Sequence, residues 1–185
     1  MDDEIIDPIE LRERKKNSKP LFLLPHIPKY YFGKYRTWLD CASGDGFMVA
    51  DFFLNNIEPK KYICIEKDYD KLKRLGEKGC NIFNLDLETT DIKDYVEKAS
   101  MILCIETIEH LEEQTAIRLM DDFISILENN GMICLSFPRV VPLNNPINKH
   151  QPDIGVYVNY HKYFTSFHHE LFKKSHFLFF EGKNV

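Results

Sequence analysis

The sequence predicts an α/β fold in three layers: a mostly parallel sheet of six or seven strands with helices on both faces. Three observations predict it. From Thr37 onward, short apolar runs alternate with amphipathic stretches, the pattern of repeated strand and helix units. One run, Met101 to Ile105, is apolar throughout, as a strand covered on both faces must be. A length of 185 residues suits one buried core better than two.

Before the periodic part, Asp7 and Pro8 read as the N-cap and first turn of a short helix running toward Lys16. Residues 17–36 are irregular, with Pro20, Pro25, Pro28 and Gly33 scattered among aromatic and apolar residues, a composition able to wrap over a pocket. The expected organisation is therefore an N-terminal helix and irregular lid over 1–36 and an α/β domain over 37–185. In the domain, Trp38 to Cys41 is a first strand and Phe47 to Leu54 a helix. Tyr62 to Ile65 is a second strand, followed by a helix from Tyr69 to Lys78 that Gly79 stops. Asn81 to Asn84 is a weaker third strand and Met101 to Ile105 a fourth. Ile117, Met120, Phe123, Ile124 and Leu127 recur at helical spacing, which predicts a helix over Glu113 to Asn129 closed by Gly131. Met132 to Phe137 is a fifth strand. After a long loop, Ser166 to Lys174 reads as a helix and Phe177 to Phe180 as a last strand.

The formal charge of −5 gives no general attraction to polyanions, so nucleic acid is a possible but not favoured partner. A basic cluster at Arg12, Arg14, Lys15, Lys16 and Lys19 is interleaved with acids and reads as a solvated helix face. The five cysteines occur without a CxxC pair and behave as small hydrophobes, which points to a reducing compartment. No signal-peptide pattern opens the sequence and no apolar run approaches the ~20 residues that span a bilayer. A cytoplasmic location and no membrane partner are expected; the oligomeric state is not legible.

The strongest local signal is Trp38-Leu39-Asp40-Cys41-Ala42-Ser43-Gly44-Asp45-Gly46-Phe47, an apolar strand entering a turn of small residues and then a helix. Ala42, Ser43, Gly44 and Gly46 leave the backbone bare enough for a ligand to touch. The second strand ends in Glu66, placed to accept hydrogen bonds from both hydroxyls of a ribose. After the third strand, Asp86 can accept from an exocyclic amine while Leu85 and Leu87 pack a ring.

These residues, together with Cys104-Ile105-Glu106-Thr107-Ile108-Glu109-His110-Leu111, resemble the class I S-adenosylmethionine-dependent methyltransferases, whose fold is Rossmann-like, over roughly Thr37 to Leu178. The resemblance implies that S-adenosylmethionine is the cofactor. It puts Asp40 and Gly44 at the methionine end, Glu66 on the ribose, and Asp86 and Leu87 at the adenine, with Ala42 and Gly46 of the same turn and Glu106 also among the cofactor-binding residues. Ala42 stands where the family's turn has its first glycine, and Ala99-Ser100 where an aromatic residue and Asp are usual. The sequence ends soon after its sixth strand, so the family's closing antiparallel hairpin is expected to be incomplete.

The run Glu106, Glu109, His110 looks like that of quinone-type O-methyltransferases and of enzymes that methylate the terminal 2′-hydroxyl of small RNAs. By the second likeness, Glu106, Glu109, His110 and His161, or His150 in its place, form a site for Mn²⁺ or Mg²⁺. A direct catalytic role for Glu109, His110 and His161, and a purely structural one, stay open beside it. The expected activity is methylation of a hydroxyl, or an amine, on a small molecule or sugar. The alternatives are metal-assisted RNA 2′-O-methylation, a non-catalytic S-adenosylmethionine-binding protein, and nicotinamide binding.

Overall fold

The computed structural model describes residues 26–32, 36–44, 46, 61–141 and 143–184. The N-terminal helix toward Lys16, most of the lid segment and the helix expected over Phe47 to Leu54 lie outside them.

Seven strands form one sheet: β1 Trp38–Cys41, β2 Tyr62–Ile65, β3 Asn81–Phe83, β4 Ala99–Ile105, β5 Leu127–Pro138, β6 Phe164–Phe172 and β7 Ser175–Lys183. Their spatial order is β3-β2-β1-β4-β5-β7-β6. The pairings from β3 through β5 are parallel, while β7 runs antiparallel to both β5 and β6. Alternation along the strands sends side chains to two cores. Leu39, Cys41, Ile102, Cys104, Ile133 and Leu135 face helix α2, Glu113–Ile126, through its Ala116, Met120 and Phe123. Trp38, Tyr62, Cys64, Met101, Leu103 and Cys134 face the opposite way, with Leu72 and Leu75 of helix α1, Tyr69–Glu77. A short helix α3, Ile154–Val158, precedes β6. All five cysteines are free and buried, as expected of small hydrophobes.

The described residues of the segment before β1 are anchored in the second core. Ile27 and Tyr31 are buried there, and the Trp38 indole N–H donates to the Tyr31 carbonyl at 2.9 Å.

Helix α1 agrees with the sequence reading. Asp68 caps it by accepting from the Asp70 N–H at 3.1 Å, and Gly79 follows with a φ of 86°. Two other elements differ. Helix α2 ends at Ile126, and Gly131 does not close it. The chain passes through a bulge into β5, where a Cβ at Gly131 would stand 2.8 Å from the Glu128 carbonyl oxygen, so close approach is what demands glycine. The segment read as a helix over Ser166 to Lys174 is strand β6. Phe167 and Leu171 fit helical spacing, but pairing along the whole of β7 outweighs it, and the Phe164 and Phe167 rings pack tilted against Phe180 at 5.1 and 5.0 Å. The closing antiparallel hairpin is therefore present, contrary to the expectation of an incomplete one.

Candidate active site

Because β1 to β4 are parallel, their carboxyl ends share one edge, where ligands sit in open α/β sheets. A cavity of about 520 Å³ opens there. Ala42 after β1, Glu66 after β2, Leu85 to Glu88 after β3, and Glu106, Thr107, His110 and Leu111 after β4 line it, with Lys67 and Lys71 beside Glu66. Pro146, Ile147 and Lys149 of the loop after β5 complete the wall.

The turn after β1 is left-handed at three positions: Ala42 at φ 57°, Gly44 at 56° and Gly46 at 60°. A side chain there is strained, which is why a glycine suits the place of Ala42. A Cβ on Gly44 would meet nothing within 4 Å among the described residues, so that side is open to them. A Cβ on Gly46 would stand 2.3 Å from a Leu75 methyl, so this glycine lets the turn press on α1. Glu66 ties the neighbouring ends together. One carboxylate oxygen accepts from the Gly44 N–H at 3.0 Å, the other from the N–H groups of Lys67 and Asp68 at 3.0 and 3.2 Å. Asp86 turns the chain by accepting from the Glu88 N–H at 3.0 Å, beside buried Leu87.

Asp40 is buried beneath this edge and does not line the cavity. Burial pushes its carboxyl up to about 7; the Tyr62 hydroxyl, donating at 3.1 Å, pulls it partly back, and Glu66 adds to the rise.

Glu106 adopts a φ of 52°, and its carboxylate accepts from the hydroxyls of Ser136 on β5 at 2.9 Å and Ser175 on β7 at 3.2 Å. Glu109 is buried in the short turn Ile108–His110. The His110 Nδ1 stands 3.2 Å from the Ile147 carbonyl, and its Nε2 is 3.9 Å from a Glu109 carboxylate oxygen. The loop is pinned here: the Lys149 N–H donates to the Glu109 carbonyl at 2.8 Å, and its ammonium reaches Glu88 at 2.9 Å and Glu112 at 3.2 Å. Burial raises the Glu88 carboxyl, but hydrogen bonds from Lys149, Thr115 and the Glu112 N–H, with the charge of Lys149, together outweigh it, and the net shift is downward.

The metal reading does not hold. Among the described residues no group of three or more His, Cys, Asp or Glu side chains is placed to hold an ion. Glu106 is engaged by two serines, and exposed His161 bonds the Val158 carbonyl at 2.8 Å, off the cavity wall. The His150 Nδ1–H donates to the Leu111 carbonyl, 2.9 Å away. Of the residues the sequence singles out, the structure brings Ala42, Glu66, Asp86, Leu87, Glu106 and His110 to one cavity, with Gly44 bonded to its wall, while Asp40, Gly46, Glu109 and His161 do not line it. The sequence reading missed Lys67, Lys71, Glu88 and Thr107 on the wall, and Ser136 and Ser175 behind Glu106. The wall residues of the loop after β5 had a signal, its length, but no marker of which residues turn inward.

No protein-family model matches the chain, and no curated protein matches it. Solved structures do. A SAM-dependent methyltransferase from Archaeoglobus fulgidus superposes with a TM-score of 0.69 at 16% identity, covering 95% of this chain and 100% of that one. An N-methyltransferase from Bradyrhizobium japonicum, in complex with S-adenosyl-L-homocysteine, gives 0.65 at 12% identity over 97% and 90%. Magnesium protoporphyrin IX methyltransferase from Synechocystis, with bound SAM, gives 0.62 at 12% over 95% and 82%. The chain has the Rossmann-like fold of the SAM-dependent methyltransferases.

Proposed function

We infer that the protein is an S-adenosylmethionine-dependent methyltransferase acting on a hydroxyl, or an amine, of a small molecule. The observation that carries the reading is the single cavity shared by the ends of β1 to β4, walled by Glu66, Asp86 and Leu87, in a fold whose similar structures hold this cofactor or its product. The donor set fits: Glu66 supplies acceptor oxygens for ribose hydroxyls, Asp86 an acceptor for an amine, and Leu85 and Leu87 apolar surface for a base. The open side of Gly44 leaves room for the methionine end.

When bound, the cofactor supplies a methyl group already activated on a sulfonium, so the chain's task is to align the acceptor, exclude water and take its proton. His110 is suited to the last. With Nδ1–H donating to the Ile147 carbonyl, the neutral ring keeps its lone pair on Nε2, and buried Glu109 stabilises the imidazolium that proton uptake creates. Glu106, held by two serine hydroxyls, bounds the acceptor side.

Transfer of a labelled methyl group to a panel of small hydroxyl and amine acceptors tests this. Label should pass to at least one acceptor, and His110→Ala should slow transfer by roughly 10²-fold or more while binding of S-adenosylhomocysteine persists. Binding without transfer to any acceptor would leave the non-catalytic reading standing instead.

A further inference from the structure

We propose that the tip of the β6–β7 hairpin, with the start of the loop leaving β5, docks on the surface of an anionic lipid bilayer. The contact is independent of the methyl-transfer reading. In a chain of net charge −5, three exposed cations gather at one place, Arg139, Lys173 and Lys174. The Arg139 N–H donates to the Lys174 carbonyl at 2.7 Å, and Pro138 pairs with Ser175. Exposed aliphatic residues stand among them. Val140, next to Arg139, is 79% exposed, and Leu171, just before the hairpin turn, is 51% exposed. Leu143, further along the same loop, is 58% exposed.

Exposed cations beside exposed aliphatic side chains are the pairing an interfacial anchor needs: charge for lipid phosphates, hydrocarbon for the acyl boundary. Bare aliphatics would gain little from nucleic acid, where base stacking calls for aromatic rings. Lys173 adopts a φ of 56° in a two-residue hairpin connection, where glycine or asparagine is unstrained, so the lysine stands there at a conformational cost. The nearest acid on the hairpin, Glu170, is turned to His168 at 2.8 Å, and His169 and His176 beside Leu171 bond each other at 3.0 Å. No helix among the described residues is long and apolar enough to cross a membrane. The proposed contact is peripheral, and it departs from the sequence reading, which expects no membrane partner. It lies on the same edge as the cavity, since Ser175 at the base of the tip bonds Glu106.

Co-sedimentation of the full chain with vesicles of phosphatidylcholine alone, and of phosphatidylcholine mixed with phosphatidylglycerol, tests the proposal. The protein should partition onto the mixed vesicles and not the neutral ones. Lys173→Gln/Lys174→Gln should weaken this by roughly 25-fold, from about fivefold per cation near such a surface. Val140→Asp/Leu171→Asp should weaken it as well, with circular dichroism confirming that both variants fold. No partition onto the mixed vesicles, partition that both folded variants retain in full, or capture by a single-stranded RNA in preference to vesicles would each overturn it.

Discussion

Asp40 is the residue whose chemistry most nearly opposes its surroundings, a carboxyl buried beneath the sheet edge with the Tyr62 hydroxyl as partner. Its folded-state value of about 7 lies above the roughly 3.9 of an unfolded chain. Between those values the folded state holds a proton that the unfolded state has lost, so stability falls as pH rises from about 4 to about 7. Urea denaturation at pH 5 and pH 8 should show this loss, at most about 1.4 kcal/mol per unit, in the wild type and a flatter response in Asp40→Asn. Parallel responses in the two proteins would deny the assignment. Gly46 makes a steric prediction of the same scale. With its φ of 60° and a Leu75 methyl only 2.3 Å from where a Cβ would stand, Gly46→Ala should destabilise by about 1–3 kcal/mol, read from the denaturation midpoint. The resemblance carried by the turn at Asp40 to Gly46 was legible residue by residue. That Asp40 sits below the cavity was not, because spacing places a residue on a strand without saying how deep the strand's end is buried.

Elements were legible where local pattern and tertiary pairing agree. Helix α1 has a capping aspartate, apolar Leu72 and Leu75 and a closing glycine, and all three signals point one way. Helix α2 began where its pattern begins but ended early, since Leu127 continues the apolar spacing while already pairing with Ala99 of β4. Strand β6 was misread because its helical spacing is real and its partner lies after it in the chain. Helix α2 also fixes the chain before β4: buried Asp122 accepts from the Ile92 N–H at 3.1 Å. Asp122→Ala leaves that donor without its bond and should cost about 1–3 kcal/mol in urea denaturation, whereas an unchanged midpoint would show that water replaces the carboxylate.

At the scale of the molecule, one topological fact organises the rest. Parallel strands return their carboxyl ends to one edge, so residues as distant in sequence as Ala42 and Glu106 share a wall of the cavity. This layer of the design was readable in advance from the alternation of strands and helices, together with polar residues at the strand ends. The wall contributed by Pro146, Ile147 and Lys149 was not, since a loop's path depends on contacts such as the Lys149 N–H on the Glu109 carbonyl, which no periodicity encodes. In the proposed function, this edge binds an adenosyl sulfonium through Glu66. Isothermal titration with S-adenosylhomocysteine tests it most directly: the wild type should bind saturably, and Glu66→Ala should bind about tenfold more weakly or worse. Saturable binding of NAD with none of S-adenosylhomocysteine would contradict the account.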